Sequence, residues 1–121
     1  MAKALRSLTL ALALAACGRL PDHEPATGGN PQRGKELIAE MGCGSCHTIR
    51  GVPGANATVA PPLDDIKKRV YLAGRLPNTP QNIEKWILDP RAIDPKTAMP
   101  KVGVDEQGAR DIAAYLYQRS K

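Results

Sequence analysis

The sequence has few of the side chains that usually fill the core of a small protein. Its 121 residues include no Phe, one Trp and three Tyr. Large aromatic side chains normally supply much of the buried area in a small domain. At this length we expect one domain, and its core needs another source of apolar surface. A bound, flat apolar group would supply it.

Charge also excludes a class of function. The formal net charge is +5, from 17 basic and 12 acidic residues. A nucleic-acid-binding domain would show basic residues clustered on one face, together with a readout motif. The sequence has neither, and the mild positive charge fits contact with an acidic protein surface instead.

The N-terminal residues have the order of an export signal. Two basic residues precede an apolar run at 8–16, which ends in small residues before Cys17. The run is too short to span a bilayer as a helix, and its Leu-Ala-Ala-Cys end resembles the lipobox of bacterial lipoproteins. We predict a signal peptide at 1–16 and lipidation of Cys17. An ordinary signal peptide cut after Ala15 and an uncleaved anchor are the alternatives.

The next segment has the composition of a linker. Residues 17–30 are rich in Pro, Gly and polar side chains and show no apolar periodicity. We predict a flexible tether here, with His23 as a solvated side chain and a folded domain over 31–121. The protein is therefore expected in the periplasm or anchored on the extracytoplasmic side of a membrane.

The strongest motif is Cys43-x-x-Cys46-His47, the attachment pattern of haem c. Two thiols about one helical turn apart can bond to the two vinyl groups along one side of a porphyrin. The histidine that follows can bind the iron. The sequence thus predicts one haem c, attached covalently through Cys43 and Cys46 with His47 as an iron ligand.

Two other uses of these residues remain as alternatives. A thioredoxin-like dithiol is expected beside a βαβ pattern, and the sequence shows none. A structural zinc site needs four ligands. Beyond the motif the only further soft donors of this kind are Cys17 and His23, both in the predicted leader or tether.

A second iron ligand follows by elimination among the three methionines. Met1 is lost with the leader, and Met41 lies two residues before the motif, on the attachment side of the ring. Met99 lies between Pro95 and Pro100, in a segment where helix is disfavoured. We predict that Met99 binds the iron opposite the histidine; the alternative is a methionine that only fills the core. Six-coordinate iron favours electron transfer over catalysis.

The elements predicted around the motif are helical. Asn30 and Thr79 are expected as N-caps, each followed by Pro at the first helical position. No convincing strand pattern is present, so we predict an all-α fold of three to four short helices around the haem. The predicted helices cover 31–41, 63–71, 80–88 and the segment from 105 through 116.

With these features the chain resembles the class I cytochrome c family over about 31–117. Gly34 is similar to a family glycine that lets the last helix cross the first closely. Ile112 and Tyr115 resemble the residues of the last helix that pack there. The resemblance implies an all-α cytochrome c fold and a role in electron transfer.

The resemblance also implies roles for two further residues. Pro61 is similar to a family proline whose carbonyl accepts the imidazole hydrogen of the axial histidine, here His47. The alternative is a simple Pro-rich turn. Trp86 is similar to a family tryptophan near a haem propionate, although its helical spacing also fits a core residue.

A narrower likeness involves residues 71–83 and the Trp-Ile and Asp-Pro pairs that follow. They resemble the cytochrome c domain of subunit II of some bacterial haem-copper oxidases, which implies a respiratory role. The chain lacks that subunit's membrane hairpin and copper-binding cysteine pair. We predict a non-enzymatic carrier of single electrons, exchanging them with redox proteins such as a terminal oxidase. A haem subunit of a dehydrogenase complex and a haem-based ligand sensor are the alternatives.

Overall fold

The computed structural model describes residues 18–120, so the predicted signal peptide and Cys17 lie outside the described residues. Within that part of the chain there are four α-helices, one small sheet and two 3-10 turns, at Cys43–Ser45 and Ile66–Lys68. The helices are α1 at Pro31–Glu40, α2 at Pro80–Leu88, α3 at Pro90–Ile93 and α4 at Glu106–Arg119. Strands β1 at Tyr71–Leu72 and β2 at Leu76–Pro77 pair antiparallel.

Side-chain caps start the long helices where the sequence predicts. The Asn30 side chain accepts a hydrogen bond from the amide of Arg33, and Thr79 accepts one from Asn82. Asp105 caps α4 in the same way. Each cap satisfies an amide that has no partner inside its helix. The predicted N-caps are confirmed.

The core lies where α1 crosses α4. Leu37 and Ile38 of α1 are buried, as predicted, and face a stripe on α4 in which Tyr115 is fully buried. Gly34 permits the crossing, because a Cβ atom at this position would lie 1.9 Å from the carbonyl oxygen of Asp111. The predicted role of this glycine is confirmed. The buried residues of the α4 stripe are Ala109, Ile112, Ala113, Tyr115 and Leu116.

Residues 24–30, just before α1, are folded, which corrects this part of the predicted tether. Glu24 and Gly29 form an isolated antiparallel bridge, and the Glu24 carboxylate accepts a hydrogen bond from the Thr27 amide. Both Glu24 and Thr27 are buried. Asn30 donates its amide proton to the Asp111 carboxylate at 2.8 Å. Hydrogen bonds within residues 24–30 therefore fold this segment, and the Asn30 amide joins it to α4.

The predicted helix over 63–71 is wrong. Only the single turn Ile66–Lys68 is helical, and the chain then becomes extended at Arg69 and enters β1. The Asn78 amide group donates to the carbonyl oxygens of Ile66 and Arg69, at 2.6 and 2.8 Å. Those carbonyls are thus used by a side chain instead of a continuing helix.

The domain is mostly helical, and the two short strands correct the expectation of an all-α fold. Leu72 of β1 is buried, whereas Tyr71 is exposed. Among residues 18–120 we find no helix with the length and apolar character needed to cross a membrane.

Candidate haem site

A tight turn presents the two cysteines of the motif. Gly42 has a φ of +73°, which ends α1 and starts the 3-10 turn Cys43–Ser45. The amides of Cys46 and His47 both donate to the carbonyl oxygen of Cys43, at 3.3 and 3.0 Å. Main-chain hydrogen bonds therefore fix the relative positions of all three chemically active residues.

The turn also packs closely against the loop that follows it. A Cβ atom on Gly44 would lie 2.8 Å from the Cα and Cβ atoms of Ala55. Real Cβ contacts of that length essentially never occur, so the motif turn and this loop approach as closely as glycine allows. Gly44 was not predicted to have a role, because its partner Ala55 lies in the following loop and not within the motif.

The imidazole of His47 is oriented by one main-chain atom. Its Nδ1 lies 2.8 Å from the carbonyl oxygen of Pro61. Since a carbonyl can only accept, Nδ1 must carry the proton and donate it. The lone pair of the neutral ring is then on Nε2, where a metal can bind. The predicted contact between Pro61 and His47 is present.

Within the described residues, neither cysteine of the motif forms a disulfide. Cys43 is half-buried at the edge of the core and Cys46 is exposed. Burial raises the pKa of the Cys43 thiol, because the charged thiolate is disfavoured away from water.

Three large apolar side chains of the described residues are exposed, and one of them lies beside the motif. Val59, Val70 and Tyr71 keep 80, 75 and 59% of their surface accessible. The amide of Ala60, next to Val59, donates to the carbonyl of Cys46, which places Val59 beside the motif. An imidazole with its lone pair on Nε2, two cysteines in one short turn and the exposed Val59 beside them fit a covalently bound haem.

The described residues offer less to the zinc alternative. Residues 18–120 contain no group of three or more His, Cys, Asp and Glu side chains arranged to hold a metal ion. Among these residues, therefore, the two cysteines and the histidine have no partner that would complete a closed tetrahedral site.

Met99 and Trp86 are not joined to the motif by hydrogen bonds. Met99 is half-buried in the irregular segment between α3 and α4, and its amide donates to the Thr97 hydroxyl. Trp86 is half-buried on α2, beside the buried Ile87. Their roles toward iron and propionate remain predictions.

Asn78 ties together three parts of the domain and was not predicted. Besides its two bonds to the carbonyls of Ile66 and Arg69, its Oδ1 accepts a hydrogen bond from the Tyr117 hydroxyl at 3.1 Å. These partners lie 9, 12 and 39 residues away. The sequence signal was the Pro-Asn-Thr-Pro segment, which marks a turn but gives no sign of its distant contacts.

Comparison with known proteins agrees with this geometry. The model of the family described as Cytochrome c matches residues 31–120, about three quarters of the chain. Cytochrome c oxidase subunit 2 of Alkalihalophilus pseudofirmus is 29% identical over 85 residues. The match covers 69% of this chain and 24% of that relative, so the chain spans about a quarter of the relative's length. No solved structure matches the chain significantly.

Proposed function

The chain belongs to the cytochrome c family, and from this premise we propose that it passes single electrons between redox proteins on the extracytoplasmic side of a membrane. Membership of the family indicates an electron carrier and not a catalytic enzyme. The observation that carries the proposal is the 2.8 Å contact from His47 Nδ1 to the carbonyl oxygen of Pro61, beside two free thiols.

The cofactor is haem c, held covalently through Cys43 and Cys46. When bound, it supplies an iron atom that changes its charge by one as an electron enters or leaves. The chain's part is to hold this group in one geometry, so that little rearrangement accompanies the change in charge. Thioether bonds from Cys43 and Cys46, joined by one short turn, would serve that purpose.

The two axial ligands have different means of support. The Pro61 carbonyl fixes the ring orientation of His47. Because it accepts the hydrogen bond from Nδ1, it also makes Nε2 a stronger electron-pair donor to a metal. Met99 is proposed as the second residue that would bind the iron. A thioether ligand raises the reduction potential, and it leaves no open position for substrate or oxygen.

The proposed electron partner is a haem-copper terminal oxidase. The relative from Alkalihalophilus pseudofirmus is a subunit of cytochrome c oxidase, and the similar region makes up 24% of that subunit's length. This supports a place for the chain in a respiratory chain, as a cytochrome domain that meets its oxidase from outside. Lipidation of Cys17 would keep the domain at the membrane surface, where two acyl chains would anchor it stably.

The first test is spectroscopic and uses the full chain loaded with haem. Met99→Ala should keep the haem attached, because Cys43 and Cys46 remain. Its reduced-minus-oxidised spectrum should change from low-spin to high-spin, and the reduction potential should fall in a redox titration.

Met41→Ala is the matched control for this test. Met41 packs partly buried against the core, so its loss should reduce stability while leaving the low-spin spectrum unchanged. An unaltered spectrum in Met99→Ala would refute the proposed ligand. Ligand binding to the reduced, unmutated protein would instead favour a sensor.

A further inference from the structure

The segment that carries Met99 has little main-chain support. Among the described residues, no main-chain to main-chain hydrogen bond involves residues 98–104. The Met99 amide donates only to the nearby Thr97 hydroxyl, at 3.2 Å. Val104 is partly buried against the core and ends this stretch. Contacts made by side chains must therefore hold Met99 in position.

Asp94 fixes the chain upstream of Met99. Its Oδ1 accepts the amide of Lys96 at 3.1 Å, and its main-chain oxygen accepts the amide of Thr97 at 3.0 Å. Its Oδ2 lies 3.4 Å from Nε of Arg75, in the turn between β1 and β2. The Asp94 side chain is 18% exposed. This carboxylate thus joins the methionine segment to the small sheet.

Asp89 fixes the chain downstream of Met99. Its Oδ1 caps α3 by accepting the amide of Ala92 at 3.2 Å. Its Oδ2 accepts a hydrogen bond from Nζ of Lys101 at 3.2 Å. This ion pair crosses from the start of α3 to a residue two positions after Met99, and it is the one ion pair of the described chain that reaches residues 98–104.

We propose that Asp89 and Asp94 are positioning residues for the methionine ligand, holding its segment from both sides. This inference rests on the proposed role of Met99 as an iron ligand. Neither carboxylate binds iron. Each restricts the chain beside Met99, so that the thioether loses less conformational freedom when it binds.

The expected effect is a change in how often Met99 leaves the iron. An external ligand such as imidazole can bind ferric iron only while the methionine is away. Its apparent dissociation constant is therefore the intrinsic value divided by the fraction of open sites. Loosening either contact should raise that fraction and make imidazole bind more tightly.

The experiment titrates imidazole into the haem-loaded ferric protein. Asp89→Asn and Asp94→Asn should each lower the apparent dissociation constant about threefold, the scale expected when one partly exposed ion pair is lost. Met99→Ala should lower it much further. Glu36→Gln is the control, because it removes the same charge from an exposed side chain on α1 that forms no ion pair with any residue the structure describes.

A double-mutant cycle separates the ion pairs from general loosening. If the Arg75 contact carries the effect of Asp94, then Arg75→Gln, Asp94→Asn and the double variant should be non-additive in imidazole affinity. Lys101→Gln and Asp89→Asn form the second cycle. Additive effects in both cycles would overturn the role of the ion pairs.

The outcomes also separate this inference from the proposed function. If Met99→Ala tightens imidazole binding while both Asp variants match Glu36→Gln, the methionine ligand stands and the positioning role is wrong. If Met99→Ala has no effect, both are wrong. Urea unfolding of each variant checks that a change in affinity is not a loss of global stability.

Discussion

His47 depends on a main-chain oxygen for its orientation, which has a consequence at the scale of single residues. The carbonyl of Pro61 remains whichever side chain occupies that position, so substitution cannot remove the acceptor itself. What proline contributes is a restricted φ angle that holds the carbonyl in place. The motif residues can thus be read from the sequence, whereas the orientation of the His47 ring depends on the loop that contains Pro61.

A residue in an unfavourable conformation gives a direct prediction of stability. Ala73 and Gly74 have φ angles of +50° and +65°, and Arg75 N donates to Leu72 O at 2.9 Å across the turn. Alanine is disfavoured at positive φ, and hairpin turns with two such residues prefer Asn-Gly. Ala73→Asn should therefore raise the free energy of unfolding by about 0.5–1 kcal/mol.

Urea denaturation measures this change, and a second substitution at the same site controls it. Ala73→Val places a β-branched side chain at positive φ and should lower stability. If Asn and Val have the same effect, the strain at Ala73 is not what limits this turn.

Sequence predicted those site residues whose partners lie close in the chain or follow a family pattern. The Cys43-x-x-Cys46-His47 turn is local, and Pro61 was found by resemblance. Asn78 was missed because its partners lie up to 39 residues away. Asp94 was missed for the same reason, since its pairing with Arg75 exists only after the sheet has formed.

At the scale of elements, the crossing of α1 and α4 is the most constrained contact. A Cβ on Gly34 would lie 1.9 Å from the carbonyl oxygen and 2.5 Å from the carbonyl carbon of Asp111. Main-chain atoms cannot rotate away as a side chain can, so the two helices would have to separate. The contact therefore tolerates no side chain at this position.

Gly34→Ala should consequently destabilise the domain despite alanine's higher helix propensity. Propensity favours alanine by about 1 kcal/mol, whereas overpacking of this kind costs about 1–3 kcal/mol and occasionally more. We expect a net loss of about 2 kcal/mol in urea unfolding, because the obstacle is main chain. Glu36 on the same helix is exposed, so Glu36→Ala should change the free energy of unfolding little. A neutral Gly34→Ala would show that the helices can separate without cost.

The starts of two helices were predicted correctly from the sequence, whereas the helix predicted over 63–71 does not form. Asn30 and Thr79 cap their helices through hydrogen bonds that span three residues. The segment 63–71 has enough apolar and charged residues for a short helix, but Asn78 captures two of its carbonyls. Tertiary hydrogen bonds outweigh a weak local preference there.

At the scale of the whole molecule, the folded unit begins before the residues that match the family. The match starts at residue 31, yet Glu24, Thr27 and Gly29 are buried. The Cβ position of Gly29 lies 2.2 Å from the carbonyl oxygen of Arg110. This N-terminal segment therefore covers α4 closely, and any lipid anchor at Cys17 would leave only a short free linker.

The last helix also makes the stability of the molecule sensitive to alkaline pH. Burial is the main cause that raises the pKa of Tyr115 and of Tyr117 above the ordinary value of 10.0. Nearby Asp64 also raises the first while Arg119 lowers it, and Glu24 and Glu84 raise the second. The three acidic groups thus raise the tyrosine pKa values, as burial does, and only Arg119 lowers one of them.

The stability that the raised tyrosine pKa values represent is fully present below the pKa of a tyrosine in the unfolded chain and is lost progressively above it. As pH rises past about 10, the unfolded chain loses its phenol protons first, and this favours unfolding. The free energy of unfolding should thus fall between about pH 9 and about pH 11. Tyr115→Phe and Tyr117→Phe should each make that fall smaller, although each loses a hydrogen bond and about 1 kcal/mol at neutral pH. Urea unfolding at both pH values measures the difference, and a fall in both variants equal to that of the unmutated protein would place the alkaline sensitivity in other groups.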